Sequence, residues 1–175
     1  MSDSAATGAL PAHGDYRVDP EGSTISFVTR HLFGLAPVRG TFALGEGHIH
    51  VADPVSGSSA RASIPATSFD TGNAARDSVV RSTQYLAADE HPHITFASTG
   101  VSETEGRWTL HGALTVRGQT RPLDVLVERA DVGEGTVNLT ATAEVDRYEF
   151  GITAQKGMTG RRLTLTLDLV AVRAA

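Results

Sequence analysis

The stretch Ser68–Thr99, SFDTGNAARDSVVRSTQYLAADEHPHITFAST, decides the fold because it interrupts the two-residue apolar alternation seen before and after it. Thr71 or Asn73 can cap a helix start by accepting a hydrogen bond from a first-turn N–H. No glycine or proline interrupts the next turns, and the strand pattern returns after Pro92. We therefore predict one short helical insertion at about residues 73–84, where it can plug or lid the mouth of a β-barrel.

Alternating strands flank this insertion on both sides. In the last of them, Arg162–Val172, four leucines at every second position alternate with threonine and aspartate. About eight such segments, separated by turn residues, are typical of an antiparallel sandwich or barrel. Eight strands give a barrel whose interior holds side chains or one ligand. Alanine, glycine and valine are frequent on the inner faces, which favours a cavity over a filled core.

The composition limits the kinds of protein that the chain can be. Its 175 residues fit one domain of moderate size. Residues 1–14 are small and polar, so we predict a disordered N-terminal lead, followed by a single barrel domain over residues 15–175. The chain contains no cysteine, which excludes thiol catalysis, cysteine-ligated zinc and iron–sulfur clusters.

Charge and hydropathy exclude two further classes. The net charge is −5 and the arginines are scattered among acids, so the chain lacks the basic stripe of a nucleic-acid binder. It has no run of about 20 apolar residues, so we expect no membrane span. The first residues, MSDSAATGALPAHGD, lack the basic and apolar regions of a signal peptide, and we therefore expect a cytoplasmic protein.

A set of short motifs runs through most of the chain, from about Tyr16 to Ala171. In chain order they are Tyr16-x-Val18-Asp19-Pro20, Ser23-x-Ile25-x-Phe27, His31, Val38-x-Gly40-x-Phe42, Ser68-Phe69-Asp70-Thr71-Gly72-Asn73 with Arg76-Asp77 and Arg81-Ser82, Pro92-x-Ile94-x-Phe96-x-Ser98-Thr99, Gly112-x-Leu114-Thr115-Val116-x-Gly118-x-Thr120-x-Pro122, and Arg147-x-x-Phe150-Gly151. Together they resemble the YceI-like family, the lipocalin-like polyisoprenoid-binding proteins.

The resemblance implies an all-β fold, an eight-stranded antiparallel lipocalin-like barrel. It also implies an elongated apolar tunnel for the prenyl chain of an isoprenoid quinone or a polyprenyl phosphate. No catalytic residues come with the family, and homodimers are common in it, so a homodimer is one expected form. The chain departs from the family pattern at Val79, where a histidine is frequent, at His91, where an aromatic residue is usual, and at Gly160-Arg161-Arg162, where the loop is usually acidic.

Burial of a prenyl tail would contribute about 25 cal/mol for each Å² of apolar surface removed from water. Our candidate lining residues are Phe27, Phe33, Phe42, Phe96, Trp108, Leu114, Leu139, Phe150 and Leu165. The alternative is that these side chains fill a dry core.

Two polar residues on the first long strand, Arg30 and His31, could meet a quinone carbonyl or a phosphate at the tunnel mouth. The alternative is a structural hydrogen-bonded pair with Asp70 or Asp77. We interpret Arg76, Asp77 and Arg81 as a structural salt-bridge set rather than a ligand clamp.

The sequence gives little indication of a metal site or of a known catalytic motif. His48-x-His50 and His91-x-His93 could each hold zinc or copper from one strand face, but no carboxylate is arranged with either pair, so we expect no metal site. Nucleotide-binding loops, the nucleophile elbow and the zinc-protease motif are absent from the sequence. We predict a lipid-binding protein without catalytic residues or a cofactor other than the bound lipid. Two alternatives stay open: an enzyme for a small apolar substrate, with His31 or an acid as base, and a stress-related partner-binding β-domain with a filled core.

Overall fold

The computed structural model describes residues 11–31, 36–156 and 159–174. Its strands are β1 (Gly14–Val18), β2 (Thr24–His31), β3 (Ala36–Phe42), β4 (Glu46–Val51), β5 (Ser59–Pro65), β6 (His93–Thr104), β7 (Arg107–Val116), β8 (Gln119–Val132), β9 (Thr136–Asp146) and β10 (Arg162–Arg173). The α-helix, α1, spans Ala74–Arg81, and short 3₁₀ turns lie at Val55–Gly57, Ala66–Ser68 and Arg147–Phe150. Within the residues described, no helix has the length and apolar character that a membrane crossing requires.

Eight of the strands close a ring in the order β1-β4-β5-β6-β7-β8-β9-β10, because β10 also pairs with β1. Every pairing is antiparallel. The predicted all-β, eight-stranded antiparallel barrel is therefore confirmed.

The β2–β3 hairpin extends the wall beyond this ring. β10 pairs with β1 through Ala171–Arg173 and with β2 through Thr164–Asp168, so both strands share one edge of β10. We call the end of the barrel near β2 the upper end and the end near β1 the lower end. At the upper end, the bridge between Thr41 and Asp70 is the one pairing that the described residues make with the free edge of β3.

The chain between β5 and β6 covers this upper end. The predicted helical insertion is confirmed, but the helix is shorter than residues 73–84. Asn73 is the N-cap, and its side chain accepts a hydrogen bond of 3.0 Å from the Arg76 N–H. The helix ends at Arg81, and Ser82 is its C-cap, because the Ser82 N–H donates to the Val79 carbonyl at 3.0 Å in a tight turn. The hydroxyl of Ser82 also donates to the Val79 carbonyl. After the exposed residues Thr83 and Gln84, the four residues from Tyr85 to Ala88 are buried.

The predicted N-terminal lead is described in part. Residues 1–10 lie outside the described residues, and β1 begins at Gly14. The Tyr16 hydroxyl donates to the Ala12 carbonyl at 2.7 Å, and the Arg173 guanidinium donates to the His13 carbonyl at 2.9 Å. Residues 12 and 13 are thus bonded to the barrel, and the rest of the predicted lead stays a prediction.

Two large buried clusters, and a small third one of Val125, Ala141 and Ala143, fill much of the barrel. The upper cluster contains Phe27, Ala66, Phe69, Tyr85, Leu86, Ala88, Ile94, Leu114, Val116, Phe150 and Ile152. The lower cluster contains Tyr16, Val18, Ile25, Leu44, Val51, Val137 and Ala171. Phe42 and Ile64 are partly buried and pack against both clusters, so they mark the boundary between them.

Candidate ligand-binding cavities

The upper cavity, of about 370 Å³, lies between β2, β3, α1 and the segment that joins β9 to β10. Its apolar wall consists of Phe27, Val38, Phe69, Val79, Val80 and Leu163, with the aromatic ring of Tyr85 beside them. Its polar residues are Thr29, Arg76, Gln84, Arg147, Gln155 and Thr159. Two arginines and no aspartate or glutamate are found among the described residues that line it. The cavity is therefore amphiphilic, with a positive rim.

Arg147 is the buried cation of this cavity, with 5% of its surface exposed. Its Nε donates to the Gly160 carbonyl at 2.7 Å, Nη1 to the Ile152 carbonyl at 2.8 Å and Nη2 to the Thr159 carbonyl at 3.1 Å. These bonds hold the described parts of the segment between β9 and β10 together, next to the end of β9. Burial lowers the pKa of Arg147 from its ordinary value, but an arginine stays protonated in a protein.

No described ion pair neutralises this guanidinium. The neighbouring carboxylate of Asp146 pairs instead with Arg161, at 3.0 Å, and more weakly with Arg162, at 3.9 Å. The hydrogen bond from Arg161 holds the pKa of Asp146 below its ordinary value. Arg147 therefore keeps a positive charge in the wall of the cavity, stabilised by neutral carbonyls and by the rings of Tyr85 and Tyr148 at 5.7 and 5.1 Å.

Asp77 organises the start of α1 from a buried position, with 4% of its surface exposed. Its carboxylate accepts bonds from the Thr71 N–H at 3.1 Å and from the Thr71 hydroxyl at 2.5 Å. Burial alone would raise the pKa of Asp77, but the Thr71 hydrogen bonds and the charges of Arg81 and Arg76 outweigh it, so the pKa lies below its ordinary value. Arg76 and Asp77 are thus linked through Thr71 rather than by a close ion pair among the described contacts, whereas the Arg81 guanidinium donates to the Phe69 carbonyl. Arg76 also lines the upper cavity.

A smaller interior cavity of about 170 Å³ lies below the upper one. Apolar side chains from the strands of the ring surround it, including Ile64, Leu110, Leu123, Leu167 and Leu169, and Ile25 of β2 joins them. A lower hollow of about 160 Å³ opens at the other end, beside Trp108, Val51 and Val55. The two spaces adjoin, because Ile49, Ala60, Leu110, Val127 and Leu139 line both.

Glycines keep two aromatic rings against the barrel wall. Phe27 pairs across the strands with Gly40, and a methyl group built on Gly40 would lie 2.5 Å from Cζ of Phe27. The ring of Phe96 lies over Gly112 in the same way, at a distance that leaves no room for a methyl group. Covering a strand glycine with an aromatic ring is a familiar way to stabilise a bent sheet. The two glycines therefore fix where these rings pack against the wall.

The structure distributes the predicted ligand residues among different places. Phe27 lines the upper cavity, Trp108 lines the lower hollow, and the interior cavity is lined by Phe96, Leu114, Leu139 and Leu165. Phe42 and Phe150 pack in the core and line none of these three spaces. Arg30 is exposed on β2 and also lines none of them. Phe33 and the side chain of His31 lie outside the described residues.

Among the described contacts, Arg30 forms no hydrogen bond with Asp70 or Asp77, the alternative that the sequence offered for Arg30 and His31. The Asp70 carboxylate accepts a bond from the Gly72 N–H at 2.8 Å. Sequence reasoning missed Arg147 as a cavity residue, although it begins the Arg147-x-x-Phe150-Gly151 motif. It also missed Val38, Phe69 and Leu163, whose pattern does not distinguish them from core residues.

A polar row on the outer face of the barrel has the hydrogen-bond order of a Ser-His-Asp triad. The Ser102 hydroxyl lies 2.7 Å from His111 Nε2, and His111 Nδ1 lies 2.7 Å from Asp124 Oδ1. The side chains of His111 and Asp124 are 41% and 63% exposed, and all three residues lie outside the described cavities. Nucleophilic catalysis needs a water-excluding site with oxyanion donors, so we interpret the row as a cross-strand polar ladder.

The two histidine pairs, His48-x-His50 and His91-x-His93, have different surroundings. His50 Nδ1 lies 2.7 Å from Asp15 Oδ1, so a carboxylate does accompany this pair, contrary to the sequence expectation. His91 instead lies against the turn at Gly118. Among the residues that the structure describes, no three side chains of histidine, aspartate or glutamate come together as metal ligands do.

A closed antiparallel barrel with apolar internal cavities and a helical segment across one end defines a lipocalin-like β-barrel protein. The sequence model of the YceI-like domain matches residues 16–171, and the chain belongs to this family.

Relatives in the family align with nearly the whole chain. A UPF0312 protein of Ectopseudomonas mendocina is 30% identical over 182 residues, covering 97% of this chain and 93% of the relative. The protein YceI of Shigella flexneri is 28% identical over 174 residues, covering 91% and 87%.

Two solved structures share the fold. BcnA of Burkholderia cenocepacia superposes with a TM-score of 0.78 at 21% identity, covering 89% of this chain and 99% of BcnA. A polyisoprenoid-binding domain from Saccharophagus degradans, implicated in plant cell wall breakdown, superposes with a TM-score of 0.70 at 12% identity, covering 93% of this chain and all of that domain.

Proposed function

We propose that this protein binds an amphiphilic isoprenoid lipid inside the barrel, with the head group at the polar rim of the upper cavity. The observation that carries the proposal is an apolar cavity with two arginines and no acidic residue among its described lining. The description of the Saccharophagus degradans domain as polyisoprenoid-binding supports it, because that domain has the same fold.

The upper cavity suits the first part of a prenyl tail. Its volume of about 370 Å³ falls in the usual range for small-ligand sites, roughly 300–1,000 Å³. Its walls supply valine, leucine and phenylalanine side chains, so a tail gains about 25 cal/mol for each Å² of apolar surface removed from water. Ordering the tail and the side chains around it reduces this gain, and the head group must supply orientation.

The charges favour an anionic head group, a polyprenyl phosphate, over a neutral quinone. Arg147 is buried and forms no ion pair with any of the residues that the structure describes, and Arg76 is half-buried at the same cavity. A unit anion about 4 Å from either guanidinium gains roughly 4 kcal/mol at an effective dielectric constant of 20, less the cost of desolvating the anion. Val79, at the position where the family often has histidine, lines the cavity without adding a polar group.

The test compares farnesyl phosphate with farnesol, which has the same tail and no charge, by native mass spectrometry of the purified protein. We expect the phosphate to bind at least about tenfold more tightly, since a charge-assisted hydrogen bond contributes about 1.5–3 kcal/mol. Arg76→Gln should remove most of this preference. Arg129→Gln is the matched control, because Arg129 is exposed and pairs with Asp131 at 2.9 Å. Equal binding of the two compounds would refute the anionic head group, and binding of neither would refute the lipid site.

The alternatives gain less support from the structure. Cavities of 370 and 170 Å³ disagree with a β-domain whose core is filled. The described lining of the upper cavity contains no histidine or carboxylate that could act as a general base. Cytoplasmic location and homodimer formation stay predictions, which cell fractionation and light scattering of the purified protein would check.

A further inference from the structure

Three phenylalanine rings pack against one another where the upper and lower buried clusters meet. The ring of Phe69 stacks on Phe27, with centroids 5.3 Å apart and planes 20° apart. Phe42 completes the triangle, 5.7 Å from Phe27 and 5.5 Å from Phe69. Phe27 and Phe69 line the upper cavity but not the interior one, and Phe42 packs against both buried clusters. We call these three rings the phenylalanine barrier.

Two rings of the barrier are fixed by the sheet, whereas the third is held by a loop. Phe27 and Phe42 lie on the paired strands β2 and β3. Phe69 lies between a 3₁₀ turn and the single bridge that Asp70 makes to β3. A hydrogen bond of 2.7 Å from Arg81 Nη2 to the Phe69 carbonyl holds its backbone. Phe69 is therefore the part of the barrier whose backbone is not in a strand of the barrel.

We propose that Phe69, packed on Phe27 and Phe42, sets the length of the prenyl tail that the barrel accepts. This inference rests on the proposed lipid-binding function. The upper cavity alone is large enough for a small ligand, whereas the interior cavity, at about 170 Å³, is below the usual range of roughly 300–1,000 Å³. A short tail fits above the barrier, and a longer tail reaches the interior cavity only after the Phe69 ring moves aside.

The chain contains one tryptophan, Trp108, and it lines the hollow that adjoins the interior cavity. Its fluorescence therefore reports whether a tail has passed the barrier. The experiment titrates the full chain with geranyl, farnesyl and geranylgeranyl phosphate, which have two, three and four isoprene units. Binding is measured by native mass spectrometry, and the emission of Trp108 is recorded in parallel.

In the wild type, we expect geranyl phosphate to bind without changing the emission of Trp108, and affinity to stop rising as the tail grows. Phe69→Ala joins the two cavities, so affinity should continue to rise with length. Geranylgeranyl phosphate should then bind about tenfold or more tightly than it binds the wild type, since each buried CH₂ contributes about 0.8 kcal/mol. It should also shift the emission of Trp108. Phe69→Leu should have the same effect to a smaller degree. This variant replaces Phe69→Ala in the test if the alanine variant does not fold.

Leu86→Ala is the matched control, because Leu86 belongs to the same buried cluster but lines neither cavity and has no part in the barrier. It should keep the length dependence of the wild type. If both Phe69 variants also keep that dependence while the wild type binds prenyl phosphates, the inference about the barrier is refuted and the lipid site stands. If no prenyl phosphate binds any of the proteins, the proposed function fails, and this inference fails with it.

Discussion

The substitution Gly40→Ala tests whether the close packing of the Phe27 ring on Gly40 shapes the upper cavity. A methyl group at this position would lie 2.5 Å from Cζ of Phe27 and 2.7 Å from the Asp70 carbonyl oxygen, where ordinary contact begins at about 3.4 Å. Neither neighbour can retreat freely. The ring is stacked on Phe69, and the Asp70 carbonyl accepts the Thr41 N–H at 2.8 Å.

The expected loss of stability follows from these two contacts. Forcing one methyl group into a packed site costs about 1–3 kcal/mol. Replacing glycine by alanine in an extended strand returns about 0.4–1 kcal/mol through the unfolded chain. We therefore expect a net loss of about 1–2 kcal/mol, or roughly 2–8 °C in Tm for a domain of this size. The displaced ring of Phe27 should also narrow the upper cavity and weaken binding of farnesyl phosphate.

Urea unfolding and a thermal melt measure this change, and Gly100→Ala is the matched control. Gly100 lies in β6, and a methyl group built on it meets no atom within 4 Å. The control should be neutral, or more stable by up to about 1 kcal/mol. Equal stability of the two variants would show that the packing of the Phe27 ring does not depend on a glycine at position 40. The role given to Gly40 in shaping the upper cavity would then be wrong.

Three further predictions concern the segment that covers the upper end. Asn73→Ala removes the N-cap of α1 and should lower the free energy of unfolding by about 0.5–2 kcal/mol, measured by urea unfolding. Ser78→Ala, at an exposed position of the same helix, should change it little. Asp77→Asn should cost about 1–3 kcal/mol, because the bonds from Thr71 lose a charged acceptor; an unchanged midpoint would contradict this role. The lowered pKa of Asp77 means that the folded state binds fewer protons than the unfolded one, so its stabilisation is present above the ordinary carboxyl pKa of about 4 and is lost as the pH falls through the lowered value. The stability of the Asp77→Asn variant, measured between about pH 5 and pH 2, should therefore fall less steeply than that of the wild type.

The barrel could be predicted from the sequence because its signal is local. The alternation in β10 places Leu165, Leu167 and Leu169 on one face, and all three line the interior cavity. The start of α1 was also readable, since the cap at Asn73 acts within one turn. Its end at Arg81 was not, because the following residues turn inward to join the core.

The composition of the site depends on contacts between distant parts of the chain. Arg147 is held at the cavity by hydrogen bonds to carbonyls up to 13 residues away. No periodic pattern in the sequence predicts these bonds. Phe69 and Phe150 were both apolar residues within motifs, but only Phe69 lines the upper cavity. The distinction depends on strand register and on the path of a loop, which alternation does not encode. The sequence therefore indicates a structural salt-bridge role for Arg76 and no role for Arg147.

The ring of eight strands closes without the segment between β5 and β6, since β1 pairs with both β4 and β10. That segment nevertheless supplies Phe69, Arg76 and Tyr85 to the upper cavity. It is held by a few hydrogen bonds, such as the one of 3.1 Å between the hydroxyls of Tyr85 and Thr159. Most of the backbone ladder thus lies in one part of the protein, and much of the binding surface lies in another. Substitutions in the segment can change which lipid fits while the barrel stays folded, because they leave the ladder hydrogen bonds of the ring intact.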